Sequence, residues 1–342
     1  MTDITIVVGS GGVGKTSIAA AMALESAYAG EDALVMTFDP SRRLKDALGI
    51  GDQGGRDVAV PLDAPGRLHA HLLDAQETFD ALVRRHAPDE AAASRIFASR
   101  LYRELRGSLA GVLEYMAVER VFEVRAAKRF SRVFVDTPPT RQALDFLDAP
   151  DRIVGFLDSG ALRLALRTWF DADGRLQPTR RLGLIGRGLE AWLDRLVGLG
   201  LLRDVAEFFQ AFGPLYEGFR ARAHDVSRLL ASTGTQFVLV TRPDEERVGE
   251  TMFFARQLVE RGHRLSAVVA NLVHPEVAAA GAGYAGHDVM RWLGVRDARG
   301  VDALRQRLSP IRLHAVPVLR DAPSSLSSLE ALRPYVRGVA AP

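Results

Sequence analysis

Seven short apolar runs rich in β-branched residues recur along the chain, at 3–8, 33–38, 68–73, 132–135, 236–240, 267–269 and 311–316. Runs this short, apolar at successive rather than alternate positions, predict strands buried on both faces. Helical patterns separate most of them, beginning with an alanine-rich stretch over 15–29. Alternation of this kind predicts a parallel sheet with helices on both sides. Two longer tracts break the alternation. Residues 74–130 read as helix throughout, opening with Asp74 and Glu77 in a capping-box arrangement and carrying Leu109, Val112, Leu113 and Met116 at apolar positions. Residues 151–230 carry no strand signal, are rich in Leu, Phe and Trp, and are interrupted at 171–174 and at Pro178. The small residues of 278–286 predict a mobile loop.

Composition narrows the classes. A length of 342 residues gives about two domains, or one large domain with an insertion. Hydrophobic residues at 47% and charged residues at 25% exclude a mainly disordered chain. The 44 basic and 42 acidic residues nearly cancel, and with no basic tail and no aromatic-studded basic stripe, no nucleic acid is expected as a partner. Cysteine is absent, which excludes disulfides, zinc ribbons, cysteine-ligated clusters and thiolate nucleophiles. No run approaches 18 apolar residues and residues 1–9 lack a basic, cleavable leader, so the expectation is a cytoplasmic protein, at most peripheral at a membrane. Only three of the basic residues are lysine, Lys15, Lys45 and Lys128, which makes each retained lysine informative.

One of them completes a motif. Residues 9–16 read G-S-G-G-V-G-K-T, with a buried strand before and a helix after. This is the spacing of a phosphate-binding loop. Gly11, Gly12, Val13 and Gly14 offer backbone N–H groups to phosphate oxygens, Lys15 reaches the β/γ oxygens, Thr16 suits Mg²⁺ and Ser17 suits the α-phosphate. The chain is therefore expected to bind ATP with Mg²⁺. The expected architecture is the doubly wound, mainly parallel α/β sheet of a P-loop NTPase with an inserted α-helical subdomain: 1–73, 131–150 and 235–342 would form the nucleotide-binding domain, and 74–130 with 151–234 the helical subdomain.

Ligands in such sheets sit beyond the carboxyl ends of the strands, which brings Asp39 and Asp136 into play. Asp39 follows the second run, where a carboxylate either orients water at the γ-phosphate or caps the next helix. Asp136 ends the 132–135 run, where a carboxylate suits a Mg²⁺ site or a turn.

Together these segments resemble the anion-transporting ATPase family, which includes the arsenite-pump ATPase and the guided-entry (Get) ATPases that carry tail-anchored membrane proteins. The family's phosphate loop, switch I (D-P-A-H) and switch II (D-T-A-P-T-G-H) correspond to residues 9–16, 39–42 and 136–142, the last two as partial matches. The resemblance implies ATP hydrolysis with Lys15 and Asp39 as catalytic residues, Thr16 and Asp136 at Mg²⁺, Asn271 ending a strand and reading adenine, and Pro317 after a strand opening the loop over the base. It also implies a dimer. Position 10, where the family carries a lysine that reaches across the dimer, is Ser10. A symmetric homodimer would then hydrolyse ATP weakly unless Arg42, Arg43 or Arg141 substitutes, and a heterodimer with a related lysine-bearing ATPase is the alternative. The lack of cysteine removes the arsenite and zinc sites of relatives. A non-hydrolysing regulatory subunit and a positioning ATPase acting on DNA or membrane remain as other readings.

Cargo is the least determined. Leu157, Leu162, Trp169, Phe170, Trp192 and Phe208 belong to a series that either lines a groove for a hydrophobic protein or lipid-like cargo or packs as core. Residues 151–230 contain no methionine, which counts against an adaptable groove. Arg175, Arg180, Arg181 and Arg187 suit an anionic membrane surface or a solvated loop. His69 and His71 share a face at strand spacing and read as ordinary strand residues.

Overall fold

The structure, a computed structural model, describes residues 2–38, 43–51, 55–99, 102–103, 112–138, 140–157, 215–277 and 285–340. The described elements, in chain order, begin with β1 (Asp3–Val8), α1 (Lys15–Tyr28), β2 (Ala33–Thr37), α2 (Arg43–Leu48), β3 (Asp57–Ala59) and β4 (Leu68–Leu72). Next come α3 (Ala75–His86), α4 (Glu90–Ala98), α5 (Val112–Ala127), β5 (Arg132–Asp136), α6 (Thr140–Leu157) and α7 (Tyr216–Leu230). The chain continues through β6 (Thr235–Thr241), α8 (Glu245–Glu260), β7 (Leu265–Val273), α9 (Ala285–Leu308), β8 (Arg312–Pro317), α10 (Leu326–Glu330) and α11 (Arg333–Val336).

The eight strands form one sheet in the order β3-β4-β2-β5-β1-β6-β7-β8. Every neighbouring pair is parallel except β3 with β4. The expected α/β sheet of a P-loop NTPase is therefore present. Its central strands β1, β2, β5 and β6 are buried at nearly every position, as strands covered on both faces must be. Helix α1 is buried almost all round, and its run of alanines lets it lie close on the sheet.

The structure corrects three details of the strand reading. The antiparallel edge strand β3 was not expected; three residues of mixed polarity give no periodic signal, and what holds them is pairing with β4. Asp57 faces His71 across that pair at 2.9 Å, with Arg129 at 2.9 Å on its other oxygen. Asn271 does not end a strand. It lies inside β7, which runs on to Val273 through a break in register against β8, with Leu272 in the left-handed region at φ 61°. Pro317 does not follow β8 but is its last residue, paired with Val273.

The chain divides into two compact units, one of Met1–Asp74, Arg120–Leu147 and Arg228–Pro342, the other of Ala75–Glu119 and Asp148–Ser227. In the first, the chain's last described helices clasp α1. Tyr28 donates to Glu330 at 2.6 Å, while Arg333 and Arg337 reach Glu25 at 3.0 and 2.8 Å. The second is held by an apolar cluster that includes Phe79, Leu82, Ile96, Tyr102, Tyr115 and Phe219. Its Glu119 is fully buried, and Arg222 meets the carboxylate at 2.7 Å. Expectations for 158–214, including the hydrophobic groove, the arginine cluster and the side chain of Leu157, lie outside the described residues, as do Asp39, Arg42 and most of the 278–286 loop.

Candidate functional site

Helix α1 starts without the usual finish. Its N-cap is Gly14, at φ 90°, no side chain caps the first turn, and no acidic residue lies in that turn. The N–H groups there have no intrahelical acceptor, so together with the helix dipole they form an anion site. Only glycine fits at 14: beyond the positive φ, a β-carbon would collide with the Asn271 amide.

Lys15 follows at once and is buried. Its Nζ turns back along the loop and donates to the carbonyl oxygens of Gly9 at 2.9 Å and Ser10 at 3.0 Å. Thr16 donates its hydroxyl to Asp136 Oδ2 at 2.7 Å, and Thr37, from the end of β2, donates to the same oxygen at 2.9 Å. Asp136 is 1% exposed. Parallel pairing in register of Thr37 and Val7 with Asp136 is what brings three separate chain segments to one point. Thr137 continues the line, donating to the Val7 carbonyl at 2.8 Å.

A cavity of about 660 Å³ opens over this cradle. Gly11, Gly12, Gly14, Lys15, Thr16 and Ser17 form one wall, and Arg43, Leu44 and Ala47 of α2 with residues 322–324 form another. The size suits a nucleotide-class ligand. The donors also suit magnesium: a threonine hydroxyl beside a buried carboxylate is a hard oxygen pair. Among the described residues, no cluster of three or more His, Asp or Glu side chains offers an alternative metal site.

Val13 has its side chain in the core, and its carbonyl accepts from Asn271 Nδ2 at 2.8 Å. Asn271 is thus a buried strut of the loop, aimed there by the break in β7, since bulges redirect side chains. The segment after β7 is anchored in turn, His274 donating its backbone N–H to the buried Asp297 at 3.0 Å with its ring 2.7 Å away. Neither Asn271 nor Pro317 is among the described residues that line the cavity.

Other participants were not foreseen. Thr37 and residues 322–324 had no motif to mark them. Of the three arginines expected to compensate for Ser10, Arg43 lines the cavity, Arg42 lies outside the described residues, and so does the side chain of Arg141. The guanidinium that meets Ser10 comes instead from α8: Arg247 donates to the Ser10 hydroxyl at 3.0 Å.

Comparison with known proteins bears on the same segments. Residues 2–163 match the family model of the anion-transporting ATPases. The match spans just under half of the chain, which is similar to that family over this stretch. An uncharacterized protein of Streptomyces coelicolor is 28% identical over 306 residues, covering 86% of this chain and 70% of its own length. The ATPase GET3 of Malassezia globosa is 26% identical over 271 residues, 78% of this chain and 72% of its own. The ATPase ARSA1 of Chlamydomonas reinhardtii is 30% identical over 270 residues, and the alignment covers 71% of this chain but only 31% of the algal protein. The matched span carries the phosphate loop and both downstream strand ends. Among its described residues, no helix is long and apolar enough to cross a membrane.

Proposed function

We propose that this chain binds Mg²⁺·ATP in the cavity over α1 and hydrolyses it as a dimeric ATPase. The observation that carries the reading is the uncapped start of α1 with Thr16 and Asp136 joined at 2.7 Å beside it. Backbone N–H groups of the loop and Lys15 would hold the phosphates, Ser17 the α-phosphate, and Thr16 with Asp136 the ion. Bound magnesium supplies Lewis-acid polarisation of the phosphoryl oxygens. Asp39, which follows the second apolar run, orients the attacking water. Asn271 holds the loop in register and Pro317 opens the segment that covers the nucleoside.

Opening and closing of the dimer, either a homodimer or a pair with a related ATPase bearing lysine at the position of Ser10, is passed to the helical segments 74–130 and 151–234. These handle a hydrophobic protein or lipid-like cargo in the cytoplasm or peripherally at a membrane. Ser10 itself favours a second reading, a regulatory subunit that binds ATP to clamp a catalytic partner without turnover, because a neutral side chain cannot stabilise developing charge.

Nucleotide binding and phosphate release, measured on the wild type, Lys15→Ala and Asp39→Asn, test the proposal. We expect turnover in the wild type, loss of binding in Lys15→Ala, and binding without turnover in Asp39→Asn. Equal rates in all three would refute hydrolysis at this site. Tight binding without turnover, unchanged by Asp39→Asn, selects the regulatory subunit.

A further inference from the structure

The phosphate loop is held from both sides, and the outer hold is an arginine. Lys15 lies along the inner side of the loop's first arm, bonded to the carbonyls of Gly9 and Ser10. A P-loop lysine is the group that reaches the β/γ oxygens, so this arm borders the terminal-phosphate end of the site. On the outer side, Arg247 of α8 donates to the Ser10 hydroxyl at 3.0 Å. That is its short contact: Asp244 stands 3.5 Å away and Glu250 4.0 Å away. The side chain is 35% exposed and shares its charge with these two carboxylates. Behind Ser10 the arm backs directly onto α8, where Glu250, Thr251 and Phe254 line a small gap with Gly9.

We propose that Arg247 is a positioning residue that makes the site favour a triphosphate over a diphosphate. Resting on the ATP-binding reading above, the inference adds a residue 237 positions away from the loop. Arg247 fixes Ser10, and through it the arm whose backbone faces the terminal phosphate. The α- and β-phosphate contacts of Gly14, Thr16 and Ser17 lie at the other end of the loop and do not depend on it.

Equilibrium binding of the full chain to adenylyl-imidodiphosphate and to ADP, each with Mg²⁺, provides the test and needs no turnover. Arg247→Ala is expected to weaken the triphosphate analogue about tenfold, the value of one charge-assisted hydrogen bond, and ADP by no more than about twofold. Arg247→Lys should recover part of the preference. Ser10→Ala should shift it in the same direction, and the double variant should lose no more than Arg247→Ala alone, because both act through one contact. Unchanged melting temperatures would accompany these results. Equal losses for both nucleotides, no loss at all, or additive losses would overturn the proposal while leaving ATP binding intact. A wild-type chain that binds neither nucleotide would overturn the ATP-binding reading and this inference with it.

Discussion

Helix α4 opens at Asp89, whose carboxylate accepts from the Ala92 N–H at 2.7 Å, and α10 opens at Ser325, which exchanges side-chain and backbone bonds with Ser328. Helix α1 opens at a glycine in the left-handed region with no capping side chain and no acid in its first turn. The first two starts are complete within the chain, while the third leaves its donors for something else. Where structure alone is at stake, a short polar residue satisfies the orphan N–H groups. Omitting the cap sacrifices local stability, and a bound anion restores it. The same division separates the buried acids. Glu119 is met by Arg222, and Asp57 by His71 and Arg129, whereas the oxygen Oδ2 of Asp136 accepts from two threonine hydroxyls.

Giving α1 a cap should erase the contrast. Gly14→Asp places a carboxylate on the anion site and a β-carbon against Asn271, and nucleotide affinity should fall about 100-fold or more, about 2.7 kcal/mol, by titration calorimetry. An affinity within threefold of wild type would mean the start of α1 is not the site. Asp136→Asn keeps the shape but removes the charge beside Thr16. Dependence of nucleotide binding on Mg²⁺ should weaken about tenfold, as is usual when a metal's supporting carboxylate is lost.

Asp57 offers a paired carboxylate away from the cavity. The hydrogen bond with His71 holds its carboxyl below the ordinary value, helped by Arg120 and Arg129 and opposed by burial. A lowered carboxyl contributes stability that is present above the unfolded value, about 3.9, and is lost as pH falls through the folded one. Asp57→Asn should therefore cost about 2 kcal/mol at neutral pH, with the difference from wild type closing in acid denaturation as pH falls below the ordinary carboxylate range. Nucleotide affinity at neutral pH should not follow it. The smallest effect belongs to α4, where Asp89→Ala should cost about 1 kcal/mol in chemical denaturation and leave nucleotide affinity untouched.

Much of this molecule is legible locally. The phosphate loop is a run of eight residues whose glycine spacing is itself the signal, and the central strands announce themselves because both faces are buried. Strand β3 is not legible, since its three residues are held by pairing and by the Asp57 cluster rather than by any pattern of their own. Asn271 was readable as a polar residue near a strand end, but its bond to Val13 depends on a break in β7 that no periodicity encodes. Arg247 was invisible for another reason. Arginine is so abundant in this chain that one more in an acidic helix start carries no information until α8 is folded against the loop.

The clasp on α1 has a consequence in time. Glu25 and Tyr28 sit in the last turn of a helix whose first turn is the anion site, and their partners Arg333, Arg337 and Glu330 come 308, 312 and 302 residues later. At the usual pace of translation, about 5–20 residues per second, α1 leaves the ribosome about 15–60 s before its clasp exists. Strand β1 likewise waits for both of its neighbours, β5 and β6. A nascent chain therefore displays the phosphate-loop sequence long before it owns a rigid loop, and the site is completed from the far end of the chain.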